Sequence, residues 1–251
     1  MSPARREAVA LTVAVLVYSN GLAVRAMRRG SVADQAYSRT NPLFLLTVLC
    51  VLARMRRVPV VAVLRQAGLQ REGLAAAFLG GTLTGLVLAL PPLLFFLRPV
   101  VLNAPLEYAP IAHLTPAALR RRVWIELPLA VALFEELVFR GLLFESWRRA
   151  AGSRAGHVAT ALAFAGWHGM VGVDTMRRTN LGEAADPRLP AMVRRHANLL
   201  GVLGGVAATG AAGAIFGGLR DRCRGNLLGP VLAHWITDAV MVLVLHRRGR
   251  K

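Results

Sequence analysis

Residues 73–97 read GLAAAFLGGTLTGLVLALPPLLFFL, with no ionisable side chain between Glu72 and Arg98. A run of this length exceeds the roughly 20 residues an α-helix needs to cross a hydrocarbon core, and is about twice the 9–11 of a barrel strand. Lipid offers backbone groups no hydrogen-bond partner, so only helices and closed barrels span it. The run therefore predicts a transmembrane helix. Pro91 and Pro92 each lack an amide hydrogen and predict a kink or break near its end.

The rest of the chain repeats the pattern. Of its 251 residues 55% are hydrophobic and only 18% charged, and mean hydropathy is +0.48; a soluble domain carries about 25% charge. Apolar runs at 8–24, 42–53, 73–97, 123–144, 156–173, 199–218 and 227–245 predict an all-α, polytopic transmembrane helix bundle of about seven spans, six to eight in all. The second run is short unless it continues through 58–64. The first follows Arg5 and Arg6 without a small-residue cleavage site, and is expected to remain as an uncleaved span. Gly accumulates in the sixth, GVLGGVAATGAAGAIFGG from Gly201. Such small residues let backbones approach, which predicts a central position. No repeat or low-complexity tract divides the chain, so residues 1–251 are expected to form a single membrane domain.

A net charge of +18 suggests a nucleic-acid partner until the arginines are placed. Pairs such as Arg28-Arg29, Arg56-Arg57, Arg148-Arg149 and Arg247-Arg248 flank the apolar runs instead of lining one face. They are expected to anchor helix ends on anionic lipid headgroups, with no nucleic acid as partner. Basic residues total about the same on alternating loops, so orientation stays open. Cys50 and Cys223 offer neither metal spacing nor a disulfide framework.

Against this apolar background stands FEELVFRG at 134–141. Each intramembrane charge costs roughly 2.5–3.5 kcal/mol at the bilayer centre. At about 100° per residue, Glu136 and Arg140 share a helix face and can pair, whereas Glu135 has no counter-charge on its own helix. FAGWH places His168 four residues after Phe164, and HWITD places His234 four before Asp238. An unpaired carboxylate, two histidines and a second carboxyl group on three spans are expected to face one wet cavity. A carboxylate beside a histidine can act as general base on water. A His-Asp pair can steady an oxyanion; alternatively Glu135, His168 and His234 can hold a divalent metal. Either arrangement hydrolyses an amide. No H-E-x-x-H and no G-x-S-x-G occurs.

These three stretches, EELVFRG (135–141), FAGWH (164–168) and HWITD (234–238), resemble the motifs EExxxR, FxxxH and HxxxN/D of the CPBP family. That family includes CAAX prenyl endopeptidases of the Ras-converting type and bacterial abortive-infection proteins. The run GAIFGGLRDRCRGNLLGPVLAH (213–234) is similar to the family's approach to its third motif. The resemblance implies an intramembrane endopeptidase with a catalytic core at 123–245, while 1–122 supplies spans without a recognised motif. Carried over, Glu135 would activate water with His168, His234 and Asp238 would steady the oxyanion, and Glu136 and Arg140, with Phe164, would support the site. Asn is common at the last position. An ionised Asp cannot donate to an oxyanion, so Asp238 must be protonated, orient His234 or bind a metal. Members have been described both as metalloproteases and as glutamate-type proteases, so the cofactor is either none or one divalent metal such as zinc. The implied partner is a membrane-embedded or lipid-anchored protein or peptide substrate. The Arg-rich, Ala/Gly/Leu/Val-biased composition points to a bacterial inner membrane, where maturation of a leader peptide or removal of a C-terminal membrane anchor is the favoured task. The rival is a non-catalytic membrane binding or immunity protein using the same pocket. A proton-coupled transporter would also need such groups, but the matching broken helices of an inverted repeat are missing.

Overall fold

The computed structural model describes residues 1–97, 102, 104 and 106–248. Among the described residues the chain is all helix, with no strand beyond isolated bridges of Leu102 with Ala185 and Tyr108 with Thr179. The main helices are α1 (Pro3–Arg28), α2 (Ala33–Arg56), α3 (Val60–Gln66) and α4 (Leu74–Leu97). A composite helix, α5, follows: Arg122–Leu133 and Leu137–Leu143 are π-helical, Phe134–Glu136 and Phe144–Ala151 α-helical. Then come α6 (Ser153–Trp167), α7 (Gly169–Arg177), α8 (Ala197–Arg222) and α9 (Leu228–Arg248).

Among the described residues four helices are long and apolar enough to cross a membrane: Pro3–Arg28, Leu74–Leu94, Ala197–Arg222 and Leu228–Arg248. Together they make this an integral membrane protein. The other three expected spans are helical too, without being among these four. In α2 the apolar residues are mixed with Arg39, Thr40 and Asn41; α5 carries Glu126, Glu135, Glu136 and Arg140; α6 stops at Trp167.

Several boundaries differ from the sequence expectation. The second apolar run does not extend downstream through 58–64. Its helix grows upstream to Ala33 and ends at Arg57, whose left-handed backbone (φ 55°) turns the chain into the separate α3. Helix α4 runs on through Pro91 and Pro92 to Leu97 without a break. The fifth run is cut in two at His168. The Gly-rich α8 is not central, since only 11% of its most apolar window is buried. Gly210 packs against Ala165, Gly213 against Ala161 and Phe164, Gly217 against His157 and Gly201 against Met176 and Leu181, while Gly204, Gly205 and Gly218 have nothing beside them.

The largest apolar core joins α1, α2, α5, α6 and the start of α7 through residues such as Val15, Leu52, Phe134, Phe139, Phe164 and Trp167. A second contact presses α4 on α9. A Cβ built on Gly81 would lie 2.5 Å from the Gly229 carbonyl oxygen, and one on Gly85 2.9 Å from that of Ala233. These glycines let the two backbones meet, which is how membrane helices associate when lipid removes the hydrophobic drive between them. Outward from that seam, α4 exposes Phe78, Leu79, Leu83, Leu86, Val87 and Leu90, an apolar face suited to lipid.

Candidate active site

Helix α5 carries the first pair of carboxylates at the short α-helical stretch between its two π-helical runs. A π turn closes i→i+5, and such departures from α geometry recur at functional sites. Glu135 and Glu136 are both buried, Glu136 completely, as is Arg140 at 1% exposure. Burial of this kind is sustained only by pairing.

The pairing and its supports draw on four helices. Arg140 Nη1 donates to Glu136 Oε1 at 2.9 Å, and His234 Nδ1 of α9 lies against the same oxygen at 2.9 Å. The Arg140 guanidinium stacks over Phe164 of α6, 4.1 Å from the ring centroid, and faces Phe216 of α8 at 5.2 Å. Phe216 in turn stacks on the His234 ring at 5.5 Å and 24°. Gly213 belongs to this packing, because a Cβ there would sit 3.1 Å from Arg140 Nη2. Phe164 and Phe216 thus serve as platforms for a buried cation, a contact worth about 2 kcal/mol when desolvated.

Glu135 is held differently. Its Oε1 accepts the indole N–H of Trp167 at 3.1 Å, while Oε2 is buried without a hydrogen-bond partner in the protein. That free oxygen lies 3.9 Å from Nε2 of both His168 and His234. His234 Nε2 is also 3.4 Å from Asp238 Oδ2. Separations near 3.9 Å are too long for a direct hydrogen bond and suit one bridging water.

The His168 ring has a defined tautomer. Its Nδ1 lies 2.8 Å from the Phe164 carbonyl, which can only accept, so Nδ1 carries the hydrogen. In the neutral ring Nε2 then presents a lone pair toward Glu135. The motif spacing Phe-x-x-x-His has a local reason: residue 164 supplies both the carbonyl that fixes the imidazole and the ring beneath Arg140. His168 and Asp238 remain 22% and 25% exposed at their side chains, so the cluster opens on their side.

The structure therefore brings Glu135, His168, His234 and Asp238 together, with Glu136, Arg140 and Phe164 behind them. Sequence reasoning passed over Trp167 and Phe216, because an aromatic residue in an apolar run reads as ordinary core. Adjacency to His168, within the quoted FAGWH, was the one available signal for Trp167. His157 lies outside the cluster and pairs with Asp221 at 2.8 Å near the end of α8.

A carboxylate oxygen with two imidazole nitrogens is chemically a zinc donor set. Its spacing here is wider than the roughly 3.4 Å kept by two ligands of one tetrahedral metal. Among the described residues no group of three or more His, Cys, Asp or Glu is arranged to hold a metal ion. As arranged, the residues do not fit one.

Comparison with known proteins adds a family. The model of the Type II CAAX prenyl endopeptidase Rce1-like family matches residues 118–240, a stretch that begins just before α5, ends within α9 and contains every residue of the cluster. No curated protein and no solved structure matches the chain. Residues 118–240, just under half of the chain and the part that holds the cluster, are similar to the Rce1-like family of type II CAAX prenyl endopeptidases, in agreement with the resemblance carried by the three motifs.

Proposed function

We propose that this protein is a glutamate-type intramembrane endopeptidase in which Glu135 and His168 activate the attacking water. One observation carries the reading: the unpartnered Glu135 Oε2 and the Nε2 lone pair of His168 face one another at 3.9 Å. Both accept, so the group between them must donate twice, as water does. Trp167 holds Oε1 and leaves Oε2 to take the proton as the water oxygen bonds to the scissile carbonyl carbon.

The oxyanion then forms on the side of His234 and Asp238. His234 keeps Nδ1–H on Glu136 and, as the imidazolium, donates its Nε2–H to the developing charge; Asp238 at 3.4 Å orients that ring or, when protonated, donates itself. Transfer of the proton from Glu135 to the amide nitrogen releases the amine as the C–N bond breaks. The substrate is a membrane-embedded or lipid-anchored protein or peptide, entering where His168 and Asp238 are exposed.

The test compares membranes from cells carrying wild-type protein, Glu135→Gln and His168→Ala. General-base catalysis supplies about 10²–10⁴-fold, so each change should abolish detectable cleavage while expression and insertion stay intact. Cleavage products that persist in both variants would refute the peptidase assignment and leave a binding pocket.

A further inference from the structure

Breaking a helix leaves backbone groups without partners, and the break at His168 has a specific repair. Two consecutive residues of α1 reach it. Ser19 Oγ donates to the Trp167 carbonyl at 2.7 Å, and Asn20 Nδ2 donates to the Gly166 carbonyl at 3.1 Å. Asn20 Oδ1 accepts the amide of Met170 at 3.0 Å, on the far side of the break. Three orphaned groups are thus satisfied by one dipeptide, each of which would otherwise be a polar backbone group left without a partner. The dipeptide is itself held: Ser19 is fully buried, its carbonyl accepts the Tyr37 hydroxyl at 2.8 Å, and Asn20 Nδ2 also donates to Leu16. Tyr37 in turn stacks on Trp167 at 5.6 Å.

The groups around this break are those that touch Glu135. Trp167 ends α6 and donates to Oε1; His168 caps both α6 and α7 and faces Oε2. Were the break to close into continuous helix, the orphaned groups would find partners within it, and both side chains would leave their places. We infer that Ser19 and Asn20 are positioning residues of the active site, holding open the helix break that sets Trp167 and His168 around Glu135. The inference rests on the peptidase reading for its catalytic consequence, though not for its structural one. It also extends the site beyond residues 118–240, since α1 lies outside the family match.

Full-length protein labelled with ¹⁵N-imidazole histidine, reconstituted in lipid, tests the structural half without any substrate. The His168 resonances, identified by their loss in His168→Ala, should report an Nδ1–H ring in wild type. They should shift in Asn20→Ala and Ser19→Ala. Thr12→Val, which removes the hydrogen bond that Trp147 makes two turns earlier on α1, should leave them unchanged. Ser19→Ala removes a single hydroxyl and serves if Asn20→Ala fails to fold. His168 signals that coincide with wild type in whichever of the two variants folds would overturn the proposal. For the catalytic half the probe is a quenched fluorescent peptide ending in a farnesylated C-a-a-X sequence. Because small displacements cost about 10²-fold, kcat should fall at least tenfold in Asn20→Ala with KM unchanged, and remain at wild-type level in Thr12→Val. A proportional loss in both would mark a merely structural contact and sink the positioning role. Turnover that survives Glu135→Gln would refute the peptidase reading alone, leaving the resonance result to decide the clamp.

Discussion

Arg140 shows what a buried charge requires. Its guanidinium lies between Phe164 and Phe216 and reaches Glu136, yet Nε and Nη2 make no hydrogen bond to the protein. Arg140→Met would leave the buried Glu136 carboxylate with His234 Nδ1 alone, and breaking one partner of such a pair costs about 3–5 kcal/mol. The double change Glu136→Gln with Arg140→Met removes both charges and should recover most of that loss in unfolding measurements. Turnover should not recover with it, because His234 Nδ1 then faces a neutral amide instead of a carboxylate. Recovery of both together would mean that Glu136 only fastens helices. The ionisable members of the site were legible in the sequence because each stands alone in an apolar run, where a charge is expensive. Trp167, Phe216, Ser19 and Asn20 were not, since nothing in their local sequence distinguishes a positioning contact from core packing.

Individual helices were legible as apolar runs, whereas their irregularities were not. No proline marks the break at His168; its partners lie about 150 positions upstream in α1, so only tertiary structure reveals it. The double proline of α4 is the converse, a strong local breaker through which the helix nevertheless runs. The π-helical runs of α5 flank Glu135 without a sequence mark, and Asn41 of α2 donates to the Ala130 carbonyl within one of them at 2.9 Å. Close approach of α4 to α9 places a further demand on small residues. Gly81→Val would drive a side chain against the Gly229 backbone, and overpacking of this sort costs about 1–3 kcal/mol. Since His234 lies five residues along α9 from Gly229, the displacement should reach the site. We expect a lower unfolding midpoint and a reduced kcat, whereas Gly204→Val, facing open space on α8, should change neither.

At the scale of the whole molecule, two of the polar attachments that α1 makes should differ in their consequences. At the end opposite the His168 clamp, Glu7 Oε1 accepts from Arg56 Nη2 of α2 at 2.6 Å and from Ser146 Oγ of α5 at 2.9 Å, joining three helices at one carboxylate. Arg56 is 3% exposed at its side chain, so Glu7→Gln leaves a buried guanidinium with only neutral partners. Truncating one side of a buried ion pair costs about 3–5 kcal/mol, and the unfolding midpoint of the reconstituted protein should fall accordingly. The nearest active-site group on α5, Arg140, is more than one helical turn from Ser146, and among the described residues no hydrogen bond links the staple to Glu135 or His168. At temperatures where Glu7→Gln remains folded, its kcat on the prenylated peptide should therefore equal that of wild type. A loss of kcat matching that of Asn20→Ala would show that α1 acts on the site as one rigid body, with no distinction between staple and clamp.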